Sequence, residues 1–357
     1  MDKKIQTTAQ SSAEEDHTEC EFEGMCVCGR NAGSQKLRLQ TRAVIRNFKK
    51  NVINRDQTGC QYQSTYNRTL AERNSKTMFV RRRDMNKVTH SYTAQYVITL
   101  CGELLSHMFL CLREATGNFG PKVLNTVDKL MKVLLNVIVM SSKSGKLTTQ
   151  LYCSFLSSVM LPHTKKEKFL LIIDSWGDQT NPGLYDEIFT DDEGLGTCIV
   201  KVVPPKCTPI YHPCDVYFYR QFKHLIKRLH NCSYLIERER EITTHEEAIK
   251  IHSILHEQLS APIFKEMLCY AWFAFKLSDE REVFKNVSEV CFSMENLKRP
   301  CICGNIAFIQ CSWCRLTLFS MFTKNTILQL VYVMLKAMIS CTFFESCLWQ
   351  SKLAGNM

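Results

Sequence analysis

The first twenty residues, MDKKIQTTAQSSAEEDHTEC, contain no apolar run, which excludes a secretory leader in that stretch. The expectation is therefore a reducing compartment, where the 19 cysteines serve as free thiols or metal ligands and not as a disulfide framework. The sequons NRT, NCS and NVS carry no weight in such a chain. No internal repeat is present, so repeat arrays are excluded. An uninterrupted membrane span is also missing: NTILQLVYVMLKAMISCTFF is broken by Lys336 and reads as a packed tail helix. SSKSGKLTTQ lacks the first glycine of a phosphate loop, with Met140 in its place and Leu147 after Lys146. HSILHE has Ser253 where a zinc protease carries glutamate, which leaves His252 and His256 as residues of a surface helix.

What is present is an ordinary globular composition with a basic excess. The 357 residues are 45% hydrophobic and 22% charged, enough for a sizeable core and a soft expectation of two domains. The net charge of +10 favours a polyanionic partner.

Residues 1–35 are polar and acidic and read as loosely ordered. KLRLQTRAVIRNF suggests a short basic helix, and NVINRDQTG a short strand closing on a polar turn at Gly59. THSYTAQYVITLCGELLSHMFLCLRE has the composition of two strands joined near Gly102–Ser106. After the apolar run KVLLNVIVMSS, TTQLYCSFLSSVMLP is helical in pattern. KFLLIIDSWG then runs Phe169 to Ile173 as a strand buried on both faces, and GTCIVKVVPP is a further strand stopped by Pro204 and Pro205. In CDVYFYRQFKHLIKRLHN, Phe218, Phe222, Leu225, Ile226 and Leu229 share one helix face; Arg220, Lys223, His224, Lys227 and Arg228 share the other. Thr244 and Glu247 form a capping box for the next helix, and PIFKEMLCYAWFAFKLS is a packed one. This order gives an α/β core with a mixed sheet, followed by a helical extension.

Three aspartates stand where strands end or helices begin: Asp56 in NRDQTG, Asp174 in LLIIDSWG and Asp215 in HPCDVYF. Each has a local explanation. Asp56 suits a turn, Asp174 can cap the segment after its strand, and Asp215 occupies an N-cap position. Asp178 is the nearest competing acid, and a surface helix accounts for it. Asp174 raises the sharper question, because an ionised carboxylate after five buried residues needs water, a partner or a cation. The carboxyl ends of strands in α/β sheets are where ligands bind.

From NVINRDQTGCQYQ to IKRLHN, about half of the chain, the sequence resembles the catalytic domain of the DDE superfamily of transposases, the mariner, pogo and Tigger-like group. NRDQTG is similar to the family's Asp-Glu-Thr-Gly motif, with Gln57 in place of Glu. LLIIDSWGDQT is similar to its second motif, and VVPPKCTPIYHPCD to its double proline followed by Gln-Pro-x-Asp, with His212 in place of Gln. The resemblance implies a ribonuclease H-like fold in which Asp56, Asp174 and Asp215 are the catalytic acids, the first two on adjacent central strands. It implies two divalent cations, Mg²⁺ or Mn²⁺, held by hard oxygen donors for in-line phosphodiester cleavage or strand transfer on DNA. About 55 residues precede Asp56, fewer than such transposases use for a helix-turn-helix region. The expectation is a transposon-derived protein, a decayed copy without a full targeting domain, acting in the nucleus and able to oligomerise. The alternative is a catalytically inactive nucleic-acid-binding protein that retains the fold. Arg220, Lys223, Lys227 and Arg228 are the candidate DNA contacts.

KRPCICGNIAFIQCSWC brings Cys301, Cys303, Cys311 and Cys314 into a pattern that can close a tetrahedral zinc site. Cys20, Cys26 and Cys28 offer only three ligands. The expected organisation is an N-terminal basic segment (1–50), the catalytic domain (51–232), a helical extension (233–295), the Cys-rich knuckle (296–323) and an apolar tail (324–357).

Overall fold

The computed structural model describes residues 42–45, 48, 51–62, 91–203, 212–236, 243–274, 276–278, 281–298 and 307–318. The readings made for residues 1–35, the double proline, Cys20, Cys26, Cys28, Cys301, Cys303 and the tail 324–357 lie outside the described residues, as does the Asp178 side chain.

Strands β1 (Val52–Gln61), β2 (Ser91–Thr99) and β3 (Met108–Arg113) form an antiparallel meander. β4 (Val137–Ser142) adds parallel to β3; β5 (Phe169–Ile173) and β6 (Cys198–Val202) add parallel to β1 and to each other. The six-stranded order is β4-β3-β2-β1-β5-β6, so β1 and β5 lie side by side in the interior. β1 differs from its expectation. It does not turn at Gly59 but runs on to Gln61, because β2 pairs with it from Ile53↔Thr99 to Gln61↔Ser91. Asp56 is thus a mid-strand residue.

Helices supply the crossovers that parallel strands require. α1 (Pro121–Val133) starts on a proline whose missing N–H costs nothing there, and leads into β4. α2 (Thr149–Phe155), capped by Thr148 Oγ1 accepting the Leu151 N–H, continues through a π-helical turn (Leu156–Met160) toward β5. α3 (Gly183–Ile188) lies between β5 and β6. A second π-helical turn (Cys214–Phe218) opens α4 (Tyr219–Ile236). The Thr244–Glu247 capping box starts α5 (His245–Leu259), followed by α6 (Lys265–Ala274) and α7 (Val287–Cys291). A hairpin of β7 (Ile309–Gln310) and β8 (Thr317–Leu318) closes the described chain.

Strand alternation splits the sheet's side chains between two cores. Val52, Tyr96, Leu110 and Leu170 pack with Phe218, Phe222, Leu255 and Trp272 of the helices after β6. Ile53, Val97, Phe109 and Leu171 pack on the opposite face with Tyr152, Phe155 and Tyr185. α5 overturns the surface reading of its histidines. His252 and His256 are buried, because the helix lies against the sheet instead of over it. Tyr92 and Tyr96 hydroxyls meet the two ring nitrogens of His252 (2.9 and 3.2 Å), and His256 Nε2 meets the Leu105 carbonyl (2.8 Å). SSKSGK is a tight turn after β4; a side chain at Gly145 (φ +71°) would run into the Ser91 carbonyl. Among the described residues, no helix is long and apolar enough to cross a membrane.

Candidate active site

The last paired residues of β1 and β5 are Asn54 and Ile172; Asp56 continues β1 two residues further on, and Asp174 directly follows the end of β5. Asp174 is not among the residues whose ligand atoms cluster with Asp56. Asp215 arrives from another direction. It lies in the π-helical turn that opens on Pro213, two residues past the N-cap position expected of it. His212 supplies the start of that turn, its carbonyl accepting the Asp215 and Val216 N–H groups at 3.0 Å.

One side chain ties these elements together. Asn54, fully buried in β1, accepts the Cys214 N–H through Oδ1 (3.0 Å) and donates through Nδ2 to the Ile172 carbonyl (3.1 Å). The same Nδ2 donates to His212 Nε2 (3.3 Å). β1, β5 and the Asp215 turn are locked to each other by a single carboxamide. The Tyr219 hydroxyl donates to the Asp56 carbonyl and adds a second tie.

Donor and acceptor accounting then sets the histidine tautomer. The Cys214 N–H can only meet the Asn54 oxygen, so Nδ2 faces His212 and Nε2 must accept. The ring proton sits on Nδ1, which faces Asp56 Oδ2 at 3.5 Å. Burial, with the Arg55 charge nearby, pushes the imidazole down to about 3 and keeps it neutral. His212 in this state has no lone pair to offer a cation at Nδ1, and its Nδ1 makes no hydrogen bond to Asp56.

Asp56 is 5% exposed, whereas Asp174 is partly exposed and Asp215 is exposed. The acid that resists leaving water is thus Asp56, in mid-strand, and not Asp174 at the strand end. Asp56 Oδ1 accepts the Gln57 N–H (2.7 Å), while Oδ2 has no hydrogen-bond partner among the described residues. Donor atoms of Asp56, His212 and Asp215 lie within 4.8 Å of one another. Desolvation, then the Asp215 charge and the hydrogen bond between the two carboxyls, hold Asp56 well above the usual carboxylate range. Asp215 is also raised by desolvation, although its bond to Asp56 and the nearby Lys223 pull it down. The two carboxyls therefore act as one coupled pair whose surroundings disfavour two full negative charges. Two carboxyls forced together with an orphaned buried oxygen are what a divalent cation would relieve, and hard oxygen donors fit Mg²⁺ or Mn²⁺.

A family model described as "DDE superfamily endonuclease" matches residues 129–317. The chain belongs to that family. The matched span includes Asp174 and Asp215, while Asp56 precedes it. The matched span covers β4, β5 and β6 of the six-stranded mixed sheet and the helices that follow. Among solved structures the chain is similar to the Mos1 strand transfer complex, with 11% identity and a TM-score of 0.42 over 71% of this chain and 64% of that one. It is also similar to the Mos1 mariner paired end complex with Mn, with 11% identity and a TM-score of 0.34 over 69% of this chain and 59% of that one. The chain thus spans a little under two thirds of the length of these solved chains. No curated protein matches it.

Arg220, Lys223 and Lys227 are exposed along α4, and the Arg228 guanidinium lies over the Phe292 ring, 5.0 Å from its centroid. Of the four knuckle cysteines, Cys311 and Cys314 flank the turn between β7 and β8. The Cys314 side chain and the Cys314 and Trp313 N–H groups bring the Cys311 thiol down to about 6. The turn is held to α5 by Trp313 Nε1 donating to the Glu257 carbonyl (2.7 Å) and by Ser312 Oγ donating to the Gln258 carbonyl (2.7 Å). Asn54 and Arg55 escaped the motif reading, and His212, the third feature of the site, entered it only as a departure from the family's Gln. A polar or charged residue inside an apolar strand was the available signal for Asn54 and Arg55. The role of His212 depends on Asn54 and could not be read locally.

Proposed function

We propose that the chain is a DDE-type endonuclease or transposase domain acting on DNA in the nucleus, with Asp56, Asp174 and Asp215 as its catalytic carboxylates. The observation that carries this reading is the convergence of the buried Asp56 and the exposed Asp215, with His212, within 4.8 Å of one another, beside the end of β5 where Asp174 follows. These acids supply the oxygen donors for Mg²⁺ or Mn²⁺, two ions in the full reaction. Cations held there supply the charge that activates an attacking hydroxyl and stabilises the leaving oxygen. The chain's own part is to fix the strand of Asp56 to the Asp215 turn through Asn54, to keep water from Asp56 by burial, and to let the acid pair release protons when a cation is bound. Arg220, Lys223 and Lys227 present a basic face to the phosphate backbone, with Arg228 at its margin. Cys311 and Cys314 offer thiolates for a structural zinc, with Cys301 and Cys303 as the remaining ligands.

The test is plasmid nicking in Mn²⁺ by purified protein. Wild type nicks, and Asp174→Asn, with unchanged circular dichroism, loses at least about a hundredfold in rate. Equal nicking by both, or none by either, would favour the inactive nucleic-acid-binding alternative. Metal analysis of the whole chain, with and without Cys311→Ser, checks the zinc; no zinc in wild type removes it.

A further inference from the structure

α5 ends on a buried polar side chain that the acid site does not use. Gln258 is fully buried and faces the turn between β7 and β8. Its Oε1 accepts the Ser312 N–H (2.8 Å), and its main-chain carbonyl accepts the Ser312 hydroxyl (2.7 Å). A backbone N–H can only meet the amide oxygen, so Nε2 is turned to Cys311 and donates to Sγ at 3.7 Å. The turn is closed around that residue. The Cys311 N–H donates to the Leu316 carbonyl (2.8 Å), and the Arg315 N–H donates back to the Cys311 carbonyl (3.0 Å). Arg315 takes a left-handed φ of +62° to complete the closure, a conformation that a residue with a side chain adopts at a cost. Ile309 and Cys311 lie in the same core as Leu255 and Leu259 of α5. The Cys-rich hairpin is thus built into the first core and not appended to it.

We infer that Gln258 is a positioning residue for a metal-bound Cys311 thiolate, so that metal at this turn also holds α5 to the hairpin. The inference rests on the zinc reading given above and assigns a partner from outside the cysteine motif. A neutral thiol is a weak acceptor that has little need of an amide donor. A thiolate bound to zinc keeps negative charge, and Cys311, 2% exposed, has little water to share it with. An N–H aimed at the sulfur supplies what the water does not, as outer partners of metal ligands do. The two ends of one carboxamide then do different work. The oxygen fixes the backbone of the turn, and the nitrogen meets the ligand atom. Metal binding on the turn is thereby felt by α5, whose His252 meets Tyr92 and Tyr96 of the central sheet.

The experiment uses the full chain and does not depend on DNA cleavage. Removing zinc from wild type by chelation lowers the melting temperature of the domain by about 5 °C or more. CoCl₂ added to the metal-free chain gives thiolate-to-cobalt absorption. Gln258→Glu keeps an oxygen for Ser312 and replaces the N–H donor; it moves that band to lower energy and weakens zinc by about tenfold or more. An unchanged band and zinc affinity in Gln258→Glu would overturn the positioning role. The chelation measurement is made in wild type and does not require that variant to fold. A melting temperature unmoved by chelation would overturn the link to α5, as would a shift that persists in Cys311→Ser. These results leave the zinc reading standing, whereas wild type without a thiolate-to-cobalt band sinks both.

Discussion

The two faces of β1 handle buried polarity in opposite ways. On one face Asn54 uses every hydrogen-bonding atom it has, joining β1 to β5 and to the Asp215 turn. On the other, Arg55 has a ring face beneath it and no acceptor among the described residues. Successive residues of one strand thus show a satisfied polar group that builds geometry and an unsatisfied one that sets potential. Burial costs both of them; only the first recovers it through hydrogen bonds.

Stability measurements can break this contrast. Asn54→Leu leaves the Cys214 N–H and the Ile172 carbonyl without partners and should cost about 2–4 kcal/mol in urea unfolding. Arg55→Met should be neutral or stabilising by about 1 kcal/mol, because an apolar residue of similar volume replaces an unpaired ion and leaves Asp174 in contact with water. Changes of the same sign and size would show that the two faces are not different in kind.

The close approach of Asp56 and Asp215 sharpens the contrast on the acid face. The raised Asp56 value means that the native state binds a proton the unfolded chain releases. Its contribution is present below the ordinary carboxylate range and is lost as pH rises through the native value. Asp56→Asn mimics the protonated form, so without metal its melting temperature should exceed that of wild type by a margin that grows as pH rises above the ordinary carboxylate range. The buried histidines act in reverse. His212 and His252, lowered by burial to about 3, and His256, to about 4, contribute stability above the ordinary imidazole value that fades as pH falls through theirs. A margin that shrinks with rising pH would contradict the raised Asp56 value.

The smallest effect belongs to the exposed helix face. Lys227→Ala should weaken DNA binding uniformly across sequences and reduce the salt slope of log K by about one. Arg228→Ala should change the slope less, since its guanidinium is engaged with Phe292. Equal slopes for both variants would remove the distinction between a free and an engaged cation.

Local pattern and composition determined a good deal of this protein. The five-residue apolar run marked β5 as interior, the periodicity of residues 218–229 oriented α4, and Thr244 with Glu247 marked the start of α5. The family motifs pointed to Asp56, Asp174 and Asp215. Tertiary structure decided the rest, for reasons that involve distance along the chain. Gly59 does not turn, because β2 pairs alongside it; His252 and His256 are buried, because tyrosines of β2 meet them in the core. Which acid is dehydrated, and which tautomer His212 adopts, depend on partners more than a hundred residues apart in sequence, and such pairings leave no local periodicity to read.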